Sequence, residues 1–142
     1  MPAMNTHLNK AEYQLLAAFR YALRRFLRFS EESARAVGIE PQQHQALLAI
    51  KGFPERERLT IGELAERLQI RHHSAVELAG RLVANGLAAR ELDAADRRQV
   101  YLTLTPHGEA LLGKLTMAHR EEMRRLGPEL HVLLGHLSDG SD

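Results

Sequence analysis

The sequence predicts a mainly α-helical chain of winged helix-turn-helix architecture, with a two-stranded β-hairpin as the wing. Three observations carry that expectation. Two short amphipathic segments, one opening on a capping signature at Thr60 and the other closed by Gly86, are separated by only a few residues. Two runs with strand character follow directly and flank a polar turn containing Asp and Arg. Segments with helical periodicity precede and follow this central block. A length of 142 residues with 44% hydrophobic side chains suits one domain with a core of its own.

The first segment runs from about Asn9 to Val37. Leu8, Ala11, Leu15, Phe19, Leu23 and Phe26 recur at helical spacing and form one face. Lys10, Arg20, Arg24, Arg25 and Arg28 occupy other faces, and Gly38 stops the helix. The stripe is longer than a small core requires. It either packs within the chain or lies partly against a second subunit. Pro41 suits the first position of the next helix, where its missing N–H costs nothing. Ala46, Leu47, Leu48 and Ile50 are that helix's apolar residues, and it ends before Gly52-Phe53-Pro54. A charged turn, Glu55-Arg56-Glu57-Arg58, leads to Thr60-Ile61-Gly62-Glu63, which matches a capping box. The short helix behind it holds Leu64, Ala65 and Leu68, with a break at Gln69-Ile70.

The next helix spans about His72 to Asn85, with Ala75, Leu78, Ala79 and Leu82 facing inward and Gly86 closing it. Leu87 to Leu92 forms one strand, Asp93-Ala94-Ala95-Asp96 the turn, and Val100 to Leu104 the returning strand. Thr105-Pro106 opens another helix as cap and first residue. It carries Leu111, Leu112, Leu115, Ala118 and Met123 until Gly127-Pro128 breaks it. A last short helix holds Leu130, Leu133, Leu134 and Leu137, and the tail from Ser138 to Asp142 frays.

Composition then excludes several classes. A formal charge of +1 rules out a histone-like polycation but leaves room for a local basic face. With no cysteine there is no disulfide framework, thiolate metal site or thiol switch. No apolar run is long enough to span a bilayer, and MPAMNTHLNK lacks a signal peptide's apolar stretch, so a cytoplasmic protein without membrane contact is expected. The eight histidines include no His-Glu-x-x-His motif. His131 and His136 do not share a helix face, and the adjacent His72 and His73 point apart, so no metal or other cofactor is expected. Neither a Gly-x-Ser-x-Gly elbow nor a Gly-rich phosphate loop occurs. Glu121 and Glu122 read as a solvated helix face. No catalytic residue stands out, and an enzyme is not expected.

A helix-turn-helix followed by a hairpin suits DNA. Its second helix fits the major groove, where each base pair shows a distinct donor and acceptor pattern. The hairpin can carry an arginine to the narrow minor groove. Four runs sharpen this reading: Leu64-Ala65-Glu66-Arg67-Leu68, Leu82-Val83-Ala84-Asn85-Gly86-Leu87, Asp93-Ala94-Ala95-Asp96-Arg97-Arg98 and Leu102-Thr103-Leu104-Thr105. In order and spacing they closely resemble the pattern of the MarR (multiple antibiotic resistance) family, and the resemblance covers nearly the whole chain. It implies a homodimer in which residues 1–38 and 106–142 are N- and C-terminal dimerisation helices and residues 41–105 a winged region binding double-stranded DNA. It also implies a transcriptional regulator, usually a repressor, that often releases DNA on binding a small aromatic or phenolic ligand.

Carried onto this chain, the resemblance implies DNA contacts from Arg71, His72, His73, Ser74 and Glu77 at the start of the recognition helix. Arg71 can meet phosphate or a guanine edge, the histidines can donate to phosphate or bases, Ser74 can bond phosphate, and Glu77 can accept from a cytosine amine. Arg81, one turn further, either contacts phosphate or pairs within the fold. The paired histidines depart from the family's commoner lysine, serine or threonine. Asp96, Arg97 and Arg98 match the family's Asp-x-Arg signature, which implies that Arg98 or Arg97 enters the minor groove while Asp96 orients an arginine. The implied effector pocket lies between the dimerisation helices and the winged region. His44 and Arg20 are its polar candidates, unless both face solvent. The rival reading from another class is a winged-helix adaptor that binds proteins or itself and not DNA, and salt-dependent DNA affinity separates the two.

Overall fold

The computed structural model describes residues 8–139. In chain order its elements are α1 (Lys10–Ala36), α2 (Pro41–Lys51), β1 (Arg58–Thr60), α3 (Ile61–Leu68), α4 (His72–Ala84), β2 (Ala88–Leu92), β3 (Val100–Leu104) and α5 (Pro106–Asp139). They form two compact units. A winged unit comprises Glu31–Met117, and a terminal-helix unit comprises the residues up to Ser30 and from Ala118 onward. Among the described residues no helix is long and apolar enough to cross a membrane. The expectations for the first seven residues and for the tail beyond Asp139 lie outside the described residues.

The winged unit is organised by local signals that agree with its burial. The Glu40 N–H donates to Gln43 Oε1 at 2.9 Å just before Pro41 starts α2. At α3 the capping box forms in both directions, the Glu63 N–H donating to Thr60 Oγ1 at 3.2 Å and the Thr60 N–H to Glu63 Oε1 at 3.0 Å. Gln69 ends α3 in the left-handed region at φ 54°, and the Ile70 N–H reaches the Ala65 carbonyl at 3.0 Å. That conformation costs a non-glycine residue about 1 kcal/mol. It permits the tight reversal into α4. Gly86, at φ 70°, ends α4 with the Leu87 N–H on the Leu82 carbonyl at 2.9 Å. Leu47, Ile50, Leu64, Leu78, Leu82 and Leu102 sit at the centre of the core, none more than 1% exposed.

The sheet has three antiparallel strands in the order β1-β3-β2, so the hairpin expected from the sequence gains a third strand. Leu59 of β1 pairs with Leu102, while β2 and β3 pair from Ala88↔Leu104 out to Leu92↔Val100. β1 has only three residues, too few to show a period, and is defined by hydrogen bonds to β3 rather than by its own pattern. At the root of the wing the Thr105 N–H donates to the Leu87 carbonyl at 3.2 Å. A methyl group on Gly108 would lie 2.0 Å from that same oxygen. Only glycine fits there.

One expectation for the helices needs correction, and one apolar residue of α2 lies off its buried stripe. In α2 the buried residues are Gln43, His44, Ala46, Leu47 and Ile50, whereas Leu48 is 44% exposed. Gln43, Ala46, Leu47 and Ile50 follow one helical stripe, and Leu48 falls off it. In α5, Gly127 and Pro128 do not break the helix, which continues to Asp139 and absorbs the expected short closing helix and the start of the frayed tail. An internal proline removes one helical hydrogen bond at a cost of about 3 kcal/mol. Here Leu126 is buried and the apolar residues Leu130 and Leu133 are half-buried beyond it, so packing on both sides keeps the segment helical.

The terminal-helix unit buries little of its apolar surface. Ala22 and Leu126 are buried, and Ser30 Oγ lies 2.9 Å from His119 Nε2. The His119 ring stands edge-on to Phe26 and Phe29, with centroids 5.9 and 5.2 Å away. Of the stripe read from the sequence, Leu15, Phe19 and Phe26 are half-buried, while Leu8 and Leu23 are exposed. Tyr13, Leu16 and Tyr21 are more than half exposed. Glu121 is solvated as expected, but Glu122 is not: its side chain is 12% exposed and paired with Arg125.

Candidate nucleic-acid interface

α4 separates its residues by face. Ala75, Leu78, Ala79 and Leu82 are fully buried, and His72, His73, Val76 and Glu77 are exposed on the opposite side. The buried set is the one that 3.6-residue periodicity selects. Thirteen residues at 1.5 Å rise give a rod about 20 Å long, narrow enough for a major groove about 12 Å wide.

Arg71 is the N-cap of α4 and its side chain makes no capping bond, which leaves the first-turn N–H groups unmet by a side chain. Arg71, His72 and His73 are exposed, and Ser74 is half-buried beside them. An open groove of about 510 Å3 runs along the turn between α3 and α4, lined in part by Glu66, Gln69, Arg71 and His72. Glu77 is exposed one turn on from His73. The four residues Arg71, His72, His73 and Glu77 therefore present polar groups from one end of one helix.

Arg81 is different. Its Nε lies 3.4 Å from Glu40 Oε2 and its Nη2 3.5 Å from Gln42 Oε1, so it pairs within the fold and ties α4 to the start of α2. The Nε contact has ion-pair distance without hydrogen-bond direction.

The wing tip is held by its own side chains. The Ala95 N–H donates to Asp93 Oδ1 at 3.1 Å, and the Asp93 N–H reaches the Gln99 carbonyl at 3.1 Å. Asp96 Oδ1 accepts from both the backbone N–H and the Nε–H of Arg98 at 3.1 Å. The Arg98 guanidinium, first, and its backbone N–H, second, hold the Asp96 carboxyl below the usual aspartate range. Arg98 is thus aimed by Asp96 while its side chain stays 91% exposed. Arg97 is exposed and meets no carboxylate among the described residues.

Behind the wing, a series of stacked rings and guanidinium groups went unread in the sequence. Arg58 lies 4.1 Å over the Tyr101 ring and pairs with Glu91 at 3.3 Å. Arg56 stacks on Phe53 at 4.5 Å and pairs with Glu63. These contacts join β1, β2, β3 and α3 across the sheet, over sequence distances that no local pattern spans.

The two effector candidates fall in different units. His44 is 3% exposed inside the winged unit, with Nδ1 3.4 Å from Gln45 Nε2, whereas Arg20 is an exposed residue of the terminal-helix unit. His44 therefore does not face solvent. Among the described residues no group of three or more His, Asp or Glu is placed to hold a metal ion.

Residues 37–99 match the family model of the MarR family. The chain spans about half the length of the curated relatives it matches. The HTH-type transcriptional repressor MdtR of Bacillus subtilis is 29% identical over 94 residues, covering 66% of this chain and 59% of MdtR. A MarR family protein from Bacillus stearothermophilus shares the fold with a TM-score of 0.76 at 23% identity, over 93% of this chain and 94% of that one. A mutant of Staphylococcus aureus MepR bound to an oligodeoxyribonucleotide does so with a TM-score of 0.64 at 20% identity, over 92% and 95% of the two chains. Residues 37–99 thus resemble the MarR family by sequence, and nearly all the described chain shares the winged helix-turn-helix fold of solved MarR family proteins.

Proposed function

We propose that the chain is a sequence-specific DNA-binding transcriptional regulator, acting as a homodimeric repressor on a pseudo-palindromic operator. The observation that carries this reading is the pairing of two presented surfaces on the winged unit. One is the exposed Arg71-His72-His73 start of α4, and the other is the wing tip where Asp96 aims Arg98 beside an exposed Arg97. A helix carrying polar groups at its exposed end suits base edges in the major groove, and a preorganised arginine suits the minor groove. Two copies would read half-sites about ten base pairs apart. The repressor assignment draws on the name of MdtR. The exposed apolar surface of the terminal-helix unit supports dimerisation through that unit. A small aromatic ligand acting near the buried His44 is the form of regulation that fits the family.

The test is selection of bound sequences from a random duplex pool, then titration of the enriched duplex at two salt concentrations. A dimer neutralising six phosphates loses about a thousandfold in affinity between about 50 and 200 mM salt. The double variant Arg97→Ala/Arg98→Ala should bind the enriched duplex at least about tenfold more weakly, at the scale of one lost groove contact per subunit, with its circular dichroism unchanged. Wild-type affinity in that variant sinks the wing assignment. No enriched sequence, with negligible affinity for any duplex at low salt, favours the adaptor reading.

A further inference from the structure

Val76 and Gly80 stand on the side of α4 away from its buried stripe, the first exposed and the second half-buried. Val76 is 47% exposed on a face otherwise made of His72, His73 and Glu77. Gly80 follows one turn later, so the two stand one above the other. Glycine inside a helix is destabilising by about 1 kcal/mol relative to alanine. That cost is commonly accepted where a neighbour leaves no room for a side chain. At Gly80 no such neighbour stands among the described residues, because a methyl group there would meet no atom within 4 Å. Gly108 shows the contrast, its space being closed by the Leu87 carbonyl. A single exposed valine is ordinary on a protein surface. A valine stacked on an unexplained glycine, in the middle of the face that carries the polar contacts, is a smooth apolar strip.

We infer that Val76 and Gly80 form a methyl-reading strip, with Val76 against the C5-methyl group of a thymine and bare Gly80 letting α4 lie close to the groove. The inference rests on the DNA-binding reading and adds to it a base preference. The thymine methyl is the one apolar group that the major groove edge offers, and small apolar side chains are its complement. The polar residues flanking the strip read donors and acceptors, so the half-site should place a thymine beside the base pairs that they contact.

The experiment uses the full chain and the enriched duplex, with each thymine of the half-site replaced in turn by deoxyuridine, which lacks only the methyl group. At one position per half-site the affinity should fall about fourfold, the worth of one buried methyl. Val76→Ala should bind the thymine and deoxyuridine duplexes with nearly equal affinity, which a general weakening of the fold would not produce. Gly80→Ala should raise the melting temperature by about 4 °C through helix propensity. Gly80→Leu should fold but bind at least about tenfold more weakly, as overpacking at the contact requires.

An enriched half-site without a methyl-sensitive thymine, full discrimination in Val76→Ala, or wild-type affinity in Gly80→Leu would each overturn the strip while leaving DNA binding intact. Absence of binding to any duplex by the unsubstituted chain would overturn both.

Discussion

The winged unit and the terminal-helix unit spend their apolar residues in opposite ways. In the winged unit the large aliphatic side chains converge on one core, with Leu47, Ile50, Leu64, Leu78 and Leu82 wholly buried. In the terminal-helix unit Tyr13, Leu16, Tyr21, Val132 and Leu134 remain more than half exposed. The first unit closes its core by itself, leaving Leu48, Leu92 and Met117 outside it. The second presents surface of the kind that protein partners cover, and it does so along long helices rather than at scattered points. Periodicity in a sequence therefore reports that a face is apolar, not which chain buries it.

The largest expected effect breaks the winged core. Leu78→Ala should lower stability by about 2–5 kcal/mol in urea unfolding, as cavity creation at a wholly buried leucine does. A loss below about 1 kcal/mol would mean that the core is less closed than its burial indicates. Tyr21→Glu probes the other unit, where it should weaken the proposed dimer about thirtyfold, matching the lost burial of one large side chain. Sedimentation velocity should then shift toward the monomer while the helical signal stays. An unchanged association would remove this face from the dimer contact.

Thr60→Ala should cost about 1 kcal/mol by removing the α3 cap. Thr60→Ser, which keeps the hydroxyl, should restore most of it. The smallest effect is local to the wing. Because Arg98 depresses the Asp96 pKa, the interaction is fully present above the ordinary aspartate value and is lost as pH falls through the depressed one. The Arg98 Nε–H resonance should therefore titrate with a midpoint below that of a free aspartate. A midpoint at or above the free value would show that Asp96 does not hold Arg98 in solution.

What could be read from the sequence follows the range over which each feature is determined. The buried face of α4, the Thr60–Glu63 cap and the Asp96–Arg98 pairing depend on residues within a few positions of one another, and all are legible in the chain. β1 depends on β3, some forty residues away, and shows no period of its own. Arg81 finds Glu40 across a similar distance, and no local pattern announces that pairing. Gly127-Pro128 carries a strong local stop signal that packing around Leu126 overrides. Val76 and Gly80 escape notice for another reason. Sequence patterns are scored by what they bury, and neither residue belongs to the buried stripe of α4.

The closed space at Gly108 limits where the wing can change. The wing root cannot widen even by one methyl group without moving the Leu87 carbonyl, so drift at that point is blocked. The tip, residues 93–99, is held chiefly by its own turn hydrogen bonds and has no comparable restriction. Replacements there leave the place of presentation unchanged and alter only what is presented. Variation in what the tip presents can therefore accumulate one residue at a time on a fixed mount.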